Sequence, residues 1–287
     1  MSQLIFQILR VVEAFFLLYL LLYASYLFLS VAMGAWRLYR LDRMRTIKNE
    51  LKHDFYFPVS ILVPAHNEEV TILDNVMSLL ELDYQLYEVI VIDDGSSDDT
   101  SRVLIDHFHM KEVSRPIRLS IACKPIQAVY EAPDSQVRLT LLRKENGGKG
   151  DALNAGINAA QYPYFLCIDA DSVLQWDSLE RIVQPVMEDD DVVAVGGLIR
   201  VAQCIQFNPE GEGGAHRKLS YHLPWNFLTS MQVMEYDRSF LASRILLDGF
   251  NGNLIISGAF GLFKKNVVIA AGGYATDVLG EDMELVA

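Results

Sequence analysis

Hydrophobic and polar residues follow two different patterns along the chain. The first is an uncharged run over residues 14–36, made mainly of Leu, Phe, Tyr and Ala. As a helix rising about 1.5 Å per residue, this run reaches about 34 Å, against roughly 30 Å of bilayer hydrocarbon. It is also longer than the apolar part of a signal peptide. The run predicts an N-terminal transmembrane helix over residues 1–36, with a buried core helix as the alternative.

From residue 57 onward, short apolar runs alternate with stretches of helical spacing. The runs predict buried strands at 59–63, 88–92, 137–142 and 164–168, and helices over 68–82, 98–109 and 150–160. Strands that alternate with helices of this length are typical of βαβ units and a mostly parallel sheet. Residues 111–136 contain three prolines and interrupt the alternation, which predicts an irregular surface insertion.

Charge is distributed unevenly. The chain has 24 Lys and Arg against 37 Asp and Glu, a formal charge of −13. This acidic balance disfavours a nucleic-acid binder, which needs a cationic surface. Basic residues nevertheless cluster at 37–48, directly after the apolar run, so the positive-inside rule predicts that the following part is cytoplasmic. The basic juxtamembrane linker, residues 37–56, either binds anionic lipid or is a solvated helix.

Three polar turns each follow a predicted strand. They are Pro-Ala-His-Asn-Glu at 64–68, Asp-Asp-Gly at 93–95 and Asp-Ala-Asp at 169–171. Ligands of such sheets bind beyond the carboxyl ends of the strands, so we expect all three turns to line one crevice. In the third turn, Asp169 and Asp171 lie two residues apart and offer the oxygen ligands that Mg²⁺ or Mn²⁺ prefers. A turn or helix cap is the alternative for this pair.

A glycine-rich loop at 146–150 opens a predicted helix. Its backbone N–H groups, together with Lys149, can approach a pyrophosphate, and a flexible loop is the alternative. Arg143 and Gly150 depart from the Walker A pattern, and no G-x-G-x-x-G sequence follows a strand. The loop therefore favours a phosphate site that is neither a P-loop nor a dinucleotide site.

Two further acidic pairs have two interpretations each. Asp93 and Asp94 fit hydrogen bonding to a nucleotide base or ribose, or an ordinary turn with a helix cap. Glu281 and Asp282 follow a glycine-rich stretch and begin a predicted helix. A carboxylate there caps the helix or serves as a general base, and spacing does not decide between the two.

In their order, these motifs resemble family-2 glycosyltransferases with a GT-A fold, over roughly residues 57–287. The resemblance rests on VPAHNEE at 63–69, VIDDGSSD at 91–98, GGKGDALNAG at 147–156, DAD at 169–171, SGAF at 257–260 and GED at 280–282. MEYDRSFL at 234–241 is similar to the membrane-bound processive branch that makes cellulose, hyaluronan, chitin or poly-N-acetylglucosamine. The resemblance implies a Rossmann-like α/β domain with a mostly parallel central sheet and flanking helices.

The resemblance also implies roles for individual residues. Asp171 would ligate Mg²⁺ or Mn²⁺, and Asp282 would be the catalytic base. Ser257 and Gly258 would lie on the acceptor side. The nucleotide-sugar site would be formed by Pro64, Asn67, Glu68, Asp93, Asp94, Lys149 and Asp169.

One departure from the processive branch concerns the end of the chain. Processive members carry a Q-x-x-R-W motif and further membrane helices after the ED motif, and this sequence ends five residues after Asp282 without either. We therefore expect a glycosyltransferase domain over 57–287 that is incomplete at its C-terminus.

The expected function is inverting, metal-dependent transfer of a sugar from a UDP-sugar to a growing glycan, at the cytoplasmic face of a bacterial inner or plasma membrane. The expected partners are the UDP-sugar, a glycan or lipid-linked acceptor, and membrane lipids. One alternative is a non-processive transferase that uses a lipid or polyprenyl-phosphate acceptor. Another is a catalytically silent nucleotide-binding module. The basic flank argues against a lumenal, Golgi-type anchor.

Overall fold

The computed structural model describes residues 2–48, 56–201, 204–208, 218–245, 256–276 and 285. The chain divides into two compact units. The helical unit comprises Met1–Lys52 and Leu198–Asn253, and the sheet unit comprises His53–Gly197 and Leu254–Ala287. Each unit is described by itself.

The elements are numbered in chain order. The described helices are α1 (Ser2–Lys48), α2 (Ile72–Leu80), α3 (Thr100–His107), α4 (Lys149–Ala159), α5 (Ser178–Glu188), α6 (Phe227–Arg238) and α7 (Lys265–Ala271). The described strands are β1 (Val59–Ala65), β2 (Tyr87–Asp94), β3 (Lys111–Glu112), β4 (Ile126–Glu131), β5 (Arg138–Lys144), β6 (Tyr164–Ile168), β7 (Ala194–Gly196), β8 (Ile205–Asn208), β9 (Lys218–Tyr221) and β10 (Phe260–Lys264).

The helical unit is built around α1. The segment Ile5–Arg40 is long and apolar enough to cross a membrane, by length and composition, and its most apolar stretch is exposed along its whole length. The helix continues to Lys48, so the predicted change from span to basic linker falls within one continuous helix. The unit also contains the antiparallel pair β8–β9, and α6 followed by a π-helical segment, Ser239–Arg244. The Arg37 guanidinium donates a hydrogen bond to the carbonyl of Ile245 at 3.2 Å.

The sheet unit contains a mixed sheet in the order β3-β4-β5-β2-β1-β6-β10-β7. The four central strands, β5, β2, β1 and β6, are parallel, as the alternation of strands and helices predicts. The outer strands are antiparallel on both sides. This arrangement confirms an α/β fold with a parallel centre and adds antiparallel edges that the sequence pattern did not indicate.

The predicted irregular insertion at 111–136 is wrong in part. It contains β3 and β4, and β4 pairs antiparallel with β5. Pro125 and Pro133 lie just outside β4, so they bound the strand and leave its backbone donors free for pairing. The prolines therefore mark the ends of an edge extension of the sheet.

Two hydrophobic clusters cover the two faces of the sheet. Alternate strand residues point to opposite faces, so Ile61 and Val63 join one cluster and Leu62 joins the other. Helices α2, α3 and α5 contribute to the first cluster, and α4 and α7 contribute to the second. Because β1, β2, β5 and β6 run parallel between these helices, their carboxyl ends meet at one edge of the sheet.

Candidate active site

Strand register brings the predicted polar turns together. Ala65 pairs with Asp93 across β1 and β2, and Leu62 pairs with Cys167 across β1 and β6. All three turns contribute side chains to one cavity of about 380 Å³, and the glycine-rich loop contributes to the same cavity. The single crevice expected from the sequence is therefore present at this edge of the sheet.

The predicted site residues divide into three groups. Lining the cavity are Pro64, Glu68, Asp94, Lys149, Asp169 and Asp171. Other described residues lie outside the cavity lining, namely Asn67, Asp93, Ser257 and Gly258. Asp282 lies outside the described residues, so its proposed role depends on the sequence alone.

The Asp-Ala-Asp turn presents carboxylates to the cavity. The Lys149 ammonium lies 2.6 Å from the Asp169 carboxylate, and each side chain is about one third exposed (34% and 35%). Asp171 is exposed. From α2, the buried Asn75 amide donates hydrogen bonds to the backbone carbonyls of Asp169, at 3.3 Å, and Ser172. Asn75 thus holds the backbone of the turn, while both carboxylates remain accessible from the cavity.

The carboxylates of the Asp-Asp-Gly turn, unlike those of the Asp-Ala-Asp turn, are buried, since Asp93 and Asp94 are only 3% exposed. Asp93 accepts hydrogen bonds from the Ser96 amide at 2.8 Å and from the Ser101 hydroxyl. Asp94 accepts the amide N–H groups of Gly147, at 3.0 Å, and Gly148, at 2.7 Å. These oxygens therefore organise the turn and the glycine-rich loop.

Lys144, at the end of β5, completes the contacts of Asp94. Its ammonium is fully buried and lies 2.5 Å from Asp94 and 2.7 Å from Asp151. Burial lowers the pKa of Lys144, but hydrogen bonds to Asp151 and Asp94 outweigh it, so the net pKa is raised and the group stays charged. The predicted strand at 137–142 ends before Lys144, and no predicted site includes this lysine. The available signal was the lysine two residues after the apolar run that ends at Leu142.

The turn after β1 is held to the turn after β2 by local hydrogen bonds. Asn67 adopts a left-handed backbone (φ 58°), and its amide donates to the Ser96 hydroxyl at 3.0 Å. Its side-chain oxygen accepts the Ser97 amide at 2.8 Å. The amide of Glu68 donates to the Thr100 hydroxyl at 2.8 Å. Asn67 therefore contributes by fixing the rim of the cavity.

His66, which belongs to the first predicted turn but was not itself predicted to be a site residue, lines the cavity. Its Nδ1 lies 3.0 Å from the carbonyl oxygen of Asp94, and the Asn146 amide donates to the same oxygen at 2.9 Å. The His66 contact fits the tautomer with a proton on Nδ1, which leaves Nε2 to accept from the Asn67 amide at 3.3 Å. His66 and Asn146 thus join the first two turns to the glycine-rich loop.

The predicted acceptor-side loop lies at the same edge of the sheet. Phe260 begins β10 and pairs with Ile168 at the end of β6, so residues 257–259, which precede Phe260, and the Asp-Ala-Asp turn, which follows Ile168, both lie at this edge of the sheet. The carbonyl of Ser257 accepts the Phe260 amide at 3.2 Å, and Gly258 is buried.

Comparison with known proteins assigns the family. Residues 60–265, well over half of the chain, match the family model described as glycosyl transferase family 2. The chain belongs to glycosyl transferase family 2. It is therefore a glycosyltransferase domain, and the cavity at the carboxyl edge of its sheet is the candidate active site.

Curated relatives of this family-2 glycosyltransferase include poly-beta-1,6-N-acetyl-D-glucosamine synthases. The protein of Staphylococcus aureus (strain COL) is 28% identical over 239 residues, which cover 82% of this chain and 46% of the relative. The protein of Staphylococcus epidermidis (strain ATCC 35984) is 28% identical over 245 residues, covering 84% of this chain and 47% of the relative. The chain spans about half the length of the curated relatives it matches.

Among solved structures, the glycosyltransferase is similar to the mannosyltransferase PcManGT of Pyrobaculum calidifontis, determined with GDP-Man and Mn²⁺. The TM-score is 0.51 at 20% identity, and the match covers 90% of this chain and 61% of that chain. This similarity supports the GT-A fold.

The side chains of this glycosyltransferase fit a divalent cation that is shared with a ligand. Within the described ranges, no three His, Cys, Asp or Glu side chains form a metal-binding group. Mg²⁺ commonly takes only one or two protein carboxylates and completes its shell with substrate phosphates and water. Asp171 is exposed at the cavity and Asp169 is partly exposed beside it, which satisfies that smaller requirement.

Proposed function

We propose that this family-2 glycosyltransferase transfers a sugar from a UDP-sugar donor to a growing glycan, with inversion and with help from a divalent cation. The observation that carries the proposal is the juxtaposition of Asp169, Asp171 and Lys149 in one cavity with the N-terminus of α4. These groups suit a ligand that combines a metal-binding diphosphate with a sugar. The names of the curated relatives point to N-acetylglucosamine as the first sugar to test.

In the proposed reaction, Asp171 would hold the cation, and Asp169, which lines the same cavity, would assist it. A bound Mg²⁺ or Mn²⁺ ion supplies Lewis-acid neutralisation of the departing diphosphate. Lys149 pairs with Asp169 at 2.6 Å and is about one third exposed, so its ammonium can turn toward the phosphates. A lysine beside the phosphates adds positive charge where negative charge develops in the transition state.

Asp282 completes the proposed mechanism as the general base. It accepts the proton of the acceptor hydroxyl as that oxygen bonds to the anomeric carbon and the bond to the diphosphate breaks. Attack from the face opposite the leaving group inverts the anomeric configuration. We expect Asp282→Asn to lower turnover at least about 100-fold with donor affinity within about twofold, since general-base contributions are typically that large. Wild-type turnover in this variant would contradict the assignment.

The proposed location is the cytoplasmic face of a membrane. Support comes from the apolar segment Ile5–Arg40 and from the basic residues at 37–48 that follow its uncharged core. The same helical unit exposes large apolar side chains at the start of α6, including Trp225, Phe227 and Leu228. Such residues suit a membrane–water interface.

The donor proposal is tested by a nucleotide-sugar panel on the 287-residue chain in detergent. Binding and slow hydrolysis of UDP-N-acetylglucosamine, UDP-glucose and GDP-mannose are measured with Mn²⁺, with Mg²⁺ and with EDTA. We expect UDP-sugars to bind preferentially and only the metal-containing samples to show turnover. Preference for GDP-mannose, or turnover that EDTA does not reduce, would contradict the proposal.

The identity of the acceptor is tested with the same 287-residue chain. A glycan oligosaccharide and a polyprenyl phosphate are each supplied with the preferred donor, and products are analysed by mass spectrometry. Extension of the oligosaccharide is the expected result. Transfer to the polyprenyl phosphate alone would replace the glycan acceptor with a lipid acceptor and leave the donor proposal standing.

A further inference from the structure

Lys144 is a buried cation that lies outside the cavity lining. Its side chain is 0% exposed, and an ammonium group has three N–H donors. Each donor has an acceptor, namely Asp94 at 2.5 Å, Asp151 at 2.7 Å and the carbonyl of Glu145 at 2.6 Å. A charge is rarely buried unless it is paired in this way, because desolvation of an ion is costly. The burial of Lys144 therefore depends on these three acceptors.

Of the two carboxylates that Lys144 joins, one contacts the glycine-rich loop and the other contacts the segment around Lys124. Asp94 accepts the amides of Gly147 and Gly148, while Asp151 accepts the amide of Lys124 at 3.0 Å. A Cβ at Gly147 would lie 2.5 Å from a carboxylate oxygen of Asp151, so the loop backbone rests directly on that carboxylate. Lys144 thus connects the two groups that determine the path of the loop.

Charge makes this connection important for an anionic ligand. Asp94 and Asp151 are 3% and 5% exposed, so water screens them weakly. Without a cation between them, two carboxylates would lie beneath a loop that faces the donor diphosphate. Both groups would oppose the positive end of the α4 dipole and the charge of Lys149, which favour phosphate binding.

We propose that Lys144 is a positioning residue that sets the affinity of the glycine-rich loop for the donor diphosphate, acting through Asp94 and Asp151. The inference rests on the proposed UDP-sugar donor and names a further residue for that same site. Lys144 does not touch the donor, since it lies outside the cavity lining and is fully buried. Because Lys144 acts through the carboxylates that hold the glycine-rich loop, we expect it to affect binding of the diphosphate more than binding of the nucleoside.

The test compares the affinities of UDP and uridine for variants of the 287-residue chain. Lys144→Met removes the charge and keeps most of the volume, and Lys144→Gln keeps one hydrogen bond without the charge. The double variant Lys144→Met/Asp151→Asn restores the original net charge of the cluster. Lys111→Met, which removes an exposed lysine of β3, is the matched control. Dissociation constants are measured by competition against a fluorescent UDP analogue.

We expect Lys144→Met to weaken UDP binding at least about 10-fold and uridine binding less than about threefold. Lys144→Gln should show a smaller loss with the same selectivity for UDP, and the double variant should recover at least threefold of the lost UDP affinity. Lys111→Met should match the wild type. Selective loss of UDP affinity is a readout that general destabilisation would not produce.

Several outcomes would overturn the inference. Equal loss of UDP and uridine affinity, unchanged UDP affinity in folded Lys144 variants, or failure of all three Lys144 variants to fold would make the residue purely structural. Failure of the proposed function is recognised separately, because the wild-type chain would then not bind UDP at all.

Discussion

Two pairs of carboxylates lie at the same edge of the sheet, each at the carboxyl end of a strand. The two pairs differ in what their oxygens contact. Asp93 and Asp94 are the last two residues of β2 and are 3% exposed, with backbone amides, a hydroxyl and a buried lysine as partners. Asp169 and Asp171 follow β6 and face the cavity, with one partly exposed lysine beside Asp169. Both pairs lie at the carboxyl ends of buried apolar strands, so the same local pattern occurs in two different environments.

The strands on either side explain the difference. β2 lies between β1 and β5, which are both parallel to it, so both neighbours deliver loops to the edge where β2 ends. The loop after β5 supplies the amides that occupy Asp94. β6 has only one parallel neighbour, and its other neighbour, β10, is antiparallel and begins at this edge. In this sheet, the carboxylates between two parallel neighbours are covered, and those beside the antiparallel strand remain open to the cavity.

We expect the open pair to act directly on ligand, and the covered pair to act on stability and on the path of the glycine-rich loop. The largest expected effect is that of Asp171→Ala, because Asp171 is the proposed metal ligand. We expect the Mn²⁺-dependent increase in UDP affinity to disappear and turnover to fall about 1000-fold, since a metal supplies several kcal/mol to the transition state. Isothermal titration with and without Mn²⁺, together with a hydrolysis assay, measures both effects.

The control for Asp171→Ala is Asp190→Ala, which removes an exposed carboxylate from the loop after α5. Both variants should keep the wild-type far-UV circular dichroism, because both side chains are exposed. An Asp171→Ala protein that still binds UDP more tightly with Mn²⁺ would show that another group holds the cation.

The next largest effect is a loss of stability in Asp94→Asn. The substitution removes the charge opposite the fully buried Lys144 and places amide hydrogens against the N–H groups of Gly147 and Gly148. Breaking a buried ion pair typically costs about 3–5 kcal/mol. For a domain of this size, we expect a melting temperature about 6–12 °C lower, measured by circular dichroism in detergent.

The matched control for Asp94→Asn is Asp106→Asn, whose carboxylate is 71% exposed and pairs with Arg102 at 3.5 Å. That variant should melt within about 2 °C of the wild type, since exposed pairs contribute little. If Asp94→Asn also melted within 2 °C of the wild type, the covered pair would not be a stabilising element.

The four central strands and the convergence of three polar turns could be predicted from the sequence, because apolar runs and turn residues are local signals. The burial of each carboxylate could not. That Asp94 accepts the amides of Gly147 and Gly148 depends on which strand lies next to β2, and that is a long-range property of the fold. The burial of Lys144 escaped prediction for the same reason.

Strand β4 illustrates a different limit. Its residues alternate weakly and only Val129 is buried, because the strand lies near an edge of the sheet. Prolines on both sides then suggest a loop, although they only bound the strand. Edge strands with one buried side chain carry too little hydrophobic pattern to be recognised locally.

A smaller effect is expected at Asp98, which accepts the amides of Thr100, at 3.0 Å, and Glu69, at 3.2 Å. Burial raises the pKa of Asp98, but hydrogen bonds from Thr100 and Glu69 outweigh it and lower the net pKa below its ordinary value. A carboxylate with a lowered folded-state pKa stabilises the protein above its unfolded pKa, and this contribution is lost as pH falls through the folded value.

We therefore expect Asp98→Ala to cost about 1 kcal/mol at pH 7, a magnitude typical of a capping side chain. The difference in melting temperature from the wild type should shrink as the pH falls from 5 to below 4. A difference that stays constant over that range would mean that the contacts with Thr100 and Glu69 do not depend on the charge of Asp98.

The smallest effect is expected for the stability of Asp169→Asn. This variant tests whether the open pair of carboxylates, Asp169 and Asp171, contributes little to stability. Its ion pair with Lys149 is about one third exposed on each side, and pairs of this kind contribute about 0–1 kcal/mol. We expect a melting temperature within about 2 °C of the wild type, measured beside Asp94→Asn under the same conditions. Donor affinity should fall in Asp169→Asn although stability does not, because the carboxylate is open to the cavity. If Asp169→Asn were as destabilising as Asp94→Asn, accessibility would not distinguish the two pairs, and the neighbouring strands would not explain their different uses.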